Sequence, residues 1–336
     1  MSTEELGRRE ALLRAGRLVA GATLLGAAGC GSGPGEGPQA RDVARRSIAI
    51  DYASFYAPIE DLRRLVQERA KRRGALVLFS ADPSGVAVQR TSLRKLTGET
   101  GGFRVVVVAA FDAAAVAPIV AAAVDRDVKV VSYVTPLAGQ TAAISVDGAG
   151  AAGLLAADAR AWAAANDARS ALVVAPPERS PVPDPFLPYA SGASRALVEA
   201  LADGPLRVAA TTRALGAPDG EQVVRAVRRE HPNVDVVLTW NDATALGAAQ
   251  ALPRGGYVGA LGAPAITGPA VFEALAGLGP LRCLVAPRLS QLADALVDLP
   301  LDLAQGGQAR DRVVPLRVFH RRTDAARAAL GDYAAG

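Results

Sequence analysis

Residues Thr141 to Ala156 read T-A-A-I-S-V-D-G-A-G-A-A-G-L-L-A. A short apolar run passes directly into Gly148, Gly150 and Gly153, and then into an alanine-rich helical pattern. The spacing G-x-G-x-x-G is that of a dinucleotide-binding turn, whose glycines let the backbone approach a pyrophosphate at a helix N-terminus. Such a turn belongs after the first strand of a half-sheet, with an acidic residue about 20 positions further on. Here the candidate acid, Glu178, lies beyond Pro176 and Pro177, and the stretch follows a series of strands instead of opening one. Two readings stand. The context favours small residues that let a helix pack closely beside a chain crossing; the other is a cofactor turn in an enzyme.

Upstream of this stretch, short apolar runs alternate with helical patterns. Strands are predicted at 48–52, 75–79, 105–110 and 128–133. Pro58 opens the first helix, with Ile59, Leu62, Val66 and Ala70 as its apolar stripe, and Asp112 stands where a helix N-cap belongs. Strands this apolar on both faces, with helices between them, imply a parallel sheet covered on both sides. At 141–146 a strand follows with no helix before it, and the rhythm then restarts. Helices are expected at 149–164, 191–202, 219–229 and 243–252, with strands at 171–175, 207–211, 234–239 and 256–261. Strands at 282–287 and 313–318 flank a helix at 289–304. The fold class expected is therefore α/β, with two doubly wound parallel-sheet lobes joined by a three-strand hinge. The division expected is 46–145 plus 288–311 for the first lobe and 146–287 plus 312–325 for the second.

Composition narrows the function. Of 336 residues half are apolar and 21% charged, and the net charge of +4 comes from dispersed arginines. No basic stripe carries interleaved aromatics, so no nucleic-acid partner is expected. Cys30 and Cys283 are the two cysteines, too few for a disulfide framework or a cysteine-built zinc site. His231 and His320 fall in no H-E-x-x-H or Ser-His-Asp pattern, which leaves most hydrolase mechanisms without their parts. Residues 1–29 have the layout of a secretory signal: a basic segment, then an apolar run from Leu18 to Gly29 too short to span a bilayer. Ala27-Ala28-Gly29-Cys30 resembles a bacterial lipobox, with Cys30 as the lipid acceptor. Residues 30–45 read as a flexible Gly/Pro tether.

The stretch H-P-N-V-D-V-V-L-T-W-N-D-A-T-A-L-G-A-A-Q-A-L (231–252), with V-V-V-V-A-A-F-D-A-A-A-V-A-P (105–118) and D-V-K-V-V-S-Y (127–133), resembles type I periplasmic binding proteins. The similarity is to their sugar-binding, ribose-type branch, the receptors of ABC transporters, and it spans roughly 46–320. The same motif occurs in repressors of the lactose-repressor family, but those carry an N-terminal helix-turn-helix where this chain has a signal and lipobox.

The resemblance implies a lipid-anchored extracytoplasmic receptor, monomeric and not an enzyme, that needs no cofactor or metal. It implies capture of a small polar, carbohydrate-like ligand between the lobes and delivery to an ABC permease. A sensory receptor for a membrane signalling partner is the alternative, and an enzyme using Gly148, Gly150 and Gly153 a further one. Ligands of open parallel sheets sit beyond the carboxyl ends of the strands. The residues expected there are Tyr52, Phe55, Tyr56, Asp82, Phe111, Tyr133, Thr135, Phe186, Tyr189, Trp240, Asn241, Asp242 and Arg288. Asn241 matches the family's ligand-bonding amide. Three family charges are replaced: Val134-Thr135 stands for Asp-Arg, Gly262 for Asp, and Tyr189 or a neighbour for Arg.

Overall fold

Val105–Ala109 reads V-V-V-V-A and is buried along its whole length. Its alternate residues belong to different cores. Val105, Val107 and Ala109 join one apolar cluster, while Val106 and Val108 join another. Side chains alternate across a strand, so a strand with no polar face must lie in a sheet covered on both sides.

The computed structural model describes residues 46–52, 59–80, 85–98, 102–179, 184–262 and 268–332. Asp42–Gly336 forms one compact unit. Its first half runs β1 (Ser47–Tyr52), α1 (Ile59–Arg72), β2 (Leu76–Phe79), α2 (Val86–Thr97), β3 (Val105–Ala109), α3 (Ala113–Val124), β4 (Lys129–Tyr133) and β5 (Ala142–Ser145). The second half runs α4 (Gly148–Ala165), β6 (Ser170–Ala175), α5 (Leu187–Ala202), β7 (Arg207–Arg213), α6 (Ala217–Glu230), β8 (Val236–Thr239), α7 (Asp242–Ala251) and β9 (Tyr257–Leu261). It is followed by α8 (Ala270–Ala276), β10 (Leu281–Ala286), α9 (Leu289–Ala304), β11 (Arg312–Val313), β12 (Arg317–His320) and α10 (Asp324–Leu330).

The strands form two six-stranded sheets, in the orders β11-β5-β4-β3-β1-β2 and β12-β10-β9-β8-β6-β7. All pairings are parallel except that of β12 with β10. The two lobes are therefore doubly wound, as the alternation of strand and helix implies.

The chain passes between the sheets three times. It leaves the first sheet after β5 and enters α4. It returns after β10, because α9 packs on α1, β1 and β3. It leaves again between β11 and β12. The sheet partners correct one expected boundary. The run 313–318 is two strands, and Arg312 and Val313 pair with Ile144 and Ser145 of the first sheet, not with the second lobe. Pro315 supplies the reason: it cannot donate to a ladder and breaks the run where the chain changes sheets.

Helix ends follow side-chain chemistry. Asp112 accepts from the Ala115 N–H at 3.0 Å and starts α3. Asp147 accepts from the Gly150 N–H at 2.8 Å and starts α4. The return helix α9 is tied to α1 by Arg69, whose guanidinium donates to both carboxylate oxygens of Asp298 at 3.0 and 2.6 Å. Among the described residues no helix is long and apolar enough to cross a membrane.

Candidate functional site

The carboxyl ends of the two sheets meet at the end of β4. Tyr133, the last residue of that strand, places its ring edge-on to Phe186 of the second lobe, with centroids 5.9 Å apart and planes at 76°. Thr135 Oγ1 donates to the Pro185 carbonyl at 2.9 Å. Both contacts cross between lobes, and both aromatic rings are withdrawn from solvent. An edge-to-face aromatic pair adds about 0.5–1.5 kcal/mol beyond area burial, and a neutral hydrogen bond a similar amount.

Between them lies Val134, with φ at +65°. Its N–H donates to Ile144 O at 2.9 Å, and the Thr135 N–H donates back to Tyr133 O at 2.8 Å. The second bond spans two residues, which makes Val134 the centre of a γ-turn. For a β-branched residue this backbone is strained by about 1–3 kcal/mol. The turn aims Thr135 at the opposite lobe, and no local sequence signal announces it.

The remaining expected site residues separate by what their polar atoms are doing. Trp240, at the end of β8, is buried and donates its indole N–H to Ala214 O at 2.7 Å. Its donor is spent on the second lobe's own core. Arg288 is likewise engaged within the fold. Its guanidinium grips the Asp332 carboxylate at 3.2 and 2.7 Å and the Ala328 carbonyl at 3.2 Å, tying the C-terminal segment to the start of α9.

Asn241 is the N-cap of α7. Its Oδ1 accepts from the Thr244 N–H at 2.7 Å, while its Nδ2 has only a long 3.5 Å contact to Leu215 O. Asp242, the first residue of α7, is fully buried. Phe111, just past β3, is half-buried, and its N–H donates to Gln89 Oε1 at 2.9 Å. Tyr189 lies in the first turn of α5. Burial, reinforced by the negative charge of Asp147, pushes its hydroxyl well above the ordinary tyrosine range. Its Oη has no hydrogen-bond partner among the described residues. Phe55, Tyr56, Asp82 and Cys30 lie outside the described residues, as does the side chain of Tyr52.

The glycine triplet that opens α4 divides in the same way. A Cβ on Gly148 would meet the Tyr189 ring at 3.1 Å and Ala193 at 3.3 Å, so Gly148 lets α5 sit against the crossing. At Gly150 a Cβ would strike the capping Asp147 carboxylate. At Gly153 it would meet nothing within 4 Å. Two of the three glycines thus serve capping and close helix packing.

Sequence reasoning missed a buried polar cluster beneath α2. Asp51 of β1 accepts from Gln89 Nε2 at 3.1 Å, and the same amide donates to Ala109 O at 2.9 Å. Burial raises the Asp51 carboxyl to about 6, against the opposing effect of the nearby Gln89 and Ser92 side chains. Its Oδ2 has no hydrogen-bond partner among the described residues. An Asp next to the end of an apolar strand, followed by a Gln on the next helix, is the only signal the sequence offers for it.

Two doubly wound lobes joined by three crossings and in contact at the strand ends agree with what a family model finds. The periplasmic binding protein domain matches residues 53–306. The chain belongs to this family. A comparison with curated proteins by sequence gives no match. Among solved structures, this periplasmic binding protein is similar to an ABC transporter solute-binding protein from Bacillus halodurans C-125 with bound myo-inositol. The TM-score is 0.70 at 15% identity, over 87% of this chain and 99% of that one. It is similar to a periplasmic ribose ABC transporter protein from Conexibacter woesei DSM 14684, with a TM-score of 0.69 at 16% identity over 84% and 94% of the two chains. A protein from Mycobacterium smegmatis in complex with β-D-fucofuranose gives 0.66 at 17% identity, over 85% and 94%. At these identities the likeness is one of fold. Part of the N-D-A-T-A-L-G-A motif is itself structural: Asn241 caps α7, and a side chain on Gly247 would collide with the Ala217 backbone of α6.

Proposed function

We propose that this periplasmic binding protein is an extracytoplasmic lipoprotein receptor that closes its two lobes on a small, polar, carbohydrate-like ligand and delivers it to an ABC permease. The observation that carries the reading is the interlobe contact at the strand ends, Tyr133 on Phe186 and Thr135 on Pro185. A contact of a few kcal/mol between lobes joined by three crossings is strong enough to favour closure and weak enough to open. The myo-inositol and β-D-fucofuranose found in proteins of similar fold support a ring-shaped polyhydroxy ligand.

The ligand contacts proposed from the second lobe are Tyr189, Asn241 and Asp242. Among the described residues, Tyr189 Oη and Asn241 Nδ2 retain hydrogen-bonding capacity that is unused or nearly so. From the first lobe we assign Phe111 and Thr135, with Tyr52, Phe55 and Tyr56 as aromatic stacking surfaces for C–H faces. The site is poorer in charge than the sugar receptors it resembles, because Val134-Thr135 and Gly262 stand where charged hydroxyl partners are usual. That favours a deoxygenated sugar, a polyol or another ligand with apolar faces over a highly hydroxylated pyranose. Cys30 carries the lipid that holds the receptor at the membrane, and the receptor acts as a monomer.

A thermal-shift screen against sugars, polyols, nucleosides and amino acids tests the reading. A ligand at a hundred times its Kd stabilises the fold by about 2.7 kcal/mol, a rise of roughly 4–5 °C for a chain of this size. A rise confined to sugars or polyols supports it. A rise with amino acids or nucleosides alone, or with no compound, refutes it.

A further inference from the structure

The chain has two cysteines and two histidines, and one of each meets at a single point far from the strand ends just described. Cys283 of β10 and His320 of β12 are direct partners in the antiparallel ladder. Asp158 of α4 reaches the same point. The Asp158 carboxylate, the Cys283 sulfur and an imidazole nitrogen of His320 lie within 4.8 Å of one another. His320 Nδ1 is 3.2 Å from Asp158 Oδ1. The other carboxylate oxygen, Oδ2, accepts the Tyr257 hydroxyl at 2.6 Å.

We propose that Asp158, Cys283 and His320 form a binding site for a divalent cation of borderline softness, with zinc the best match. Thiolate, imidazole and carboxylate are the three donor types that zinc takes, and three protein ligands leave its fourth position to water. A tetrahedral zinc holds its ligand atoms about 3.3–3.8 Å apart, given bonds of about 2.0–2.3 Å. The Asp158–His320 pair, at 3.2 Å, is close to that spacing, and the remaining pairs, within 4.8 Å, need to close by at most about 1–1.5 Å. His320 is half exposed and Asp158 partly exposed, so the ion has a path in from solvent and the imidazole has room to turn. The Tyr257 hydroxyl holds the carboxylate in place, the kind of outer partner that metal ligands usually have. Zinc takes cysteine as the thiolate, so binding releases the thiol proton to solvent as the sulfur–metal bond forms. The bound ion would join α4, β10 and β12, fastening the last strand of the second sheet to its lobe.

Cobalt(II) titration of the full chain, followed by absorbance, tests the site. The expected result is a near-ultraviolet sulfur-to-cobalt charge-transfer band, with d–d bands of tetrahedral intensity, both removed by one equivalent of zinc. Cys283→Ser should abolish the charge-transfer band, and His320→Gln should weaken binding at least tenfold. The histidine is half exposed, so its variant will fold even where the buried serine perturbs the core. Absence of the band in the wild type overturns the proposal. So does a band that persists in Cys283→Ser, which would belong to Cys30, or equal affinity in His320→Gln.

Discussion

Replacing Asp51 by asparagine isolates the largest buried charge effect in the first lobe. Burial holds the Asp51 carboxyl at about 6 in the folded protein, against an ordinary value of 3.8. Between those values the folded state binds more protons than the unfolded chain, so stability falls as pH rises through the window. At about 1.36 kcal/mol per pH unit, the ionised group costs about 3 kcal/mol above pH 6, a cost absent below about pH 4. Asparagine does not titrate. Its second N–H adds a fixed cost in the pocket that Asp51 Oδ2 occupies, but that cost does not vary with pH. The stability of Asp51→Asn relative to wild type should therefore climb by about 2.5 kcal/mol from pH 4 to pH 7.5, whatever its starting value. Urea unfolding at half-unit pH steps measures this difference directly. A difference that is flat with pH, or one that declines, would refute the burial of an ionisable Asp51 beneath α2.

Five further outcomes are expected. Gly148→Ala should destabilise by about 1–3 kcal/mol, because its Cβ meets the Tyr189 ring at 3.1 Å. Gly153→Ala should stabilise by about 0.5–1 kcal/mol, since it is exposed on a helix with nothing nearby; thermal unfolding of both separates packing from cofactor binding. Thr135→Val should remove the bond to Pro185 and lower the affinity for any ligand found by about two- to twelvefold, read by calorimetry, from a bond of about 0.5–1.5 kcal/mol. Arg288→Ala should free the C-terminal segment to proteolysis, as its grip on Asp332 is lost, yet leave ligand affinity unchanged. Cys30→Ala should release the protein from the membrane fraction or leave it unprocessed, as shown by fractionation and mass.

The architecture was legible because its strands carry the pattern of doubly covered sheets. V-V-V-V-A at 105–109 has no polar residue and V-V-L-T at 236–239 is buried along its whole length, and a sheet sandwiched by helices accommodates both. The chain crossing at Ser145–Gly148 was legible from the missing helix. Side-chain assignments were less so, since the partners that decide them lie far away in sequence. Arg288 finds Asp332 44 residues on, and Trp240 finds Ala214 26 residues back, distances at which no periodic pattern operates. Two prolines mark boundaries that periodicity misplaces: Pro315 splits the last strand, and Pro188, in the first turn of α5, starts that helix four residues before the expected 191. Cys283 and His320 could not be joined from sequence, because their meeting depends on the register of β10 against β12.

The central claim is that two lobes clamp a ligand at the strand ends. Spin labels at Lys95 on α2 and Arg229 on α6, both exposed and one in each lobe, report the interlobe distance by pulsed resonance. In the free protein the distribution should be broad, spanning open and closed arrangements. Saturation with the sugar or polyol found by thermal shift should collapse it to one short, narrow distance. A distribution that a saturating ligand leaves unchanged would contradict the account.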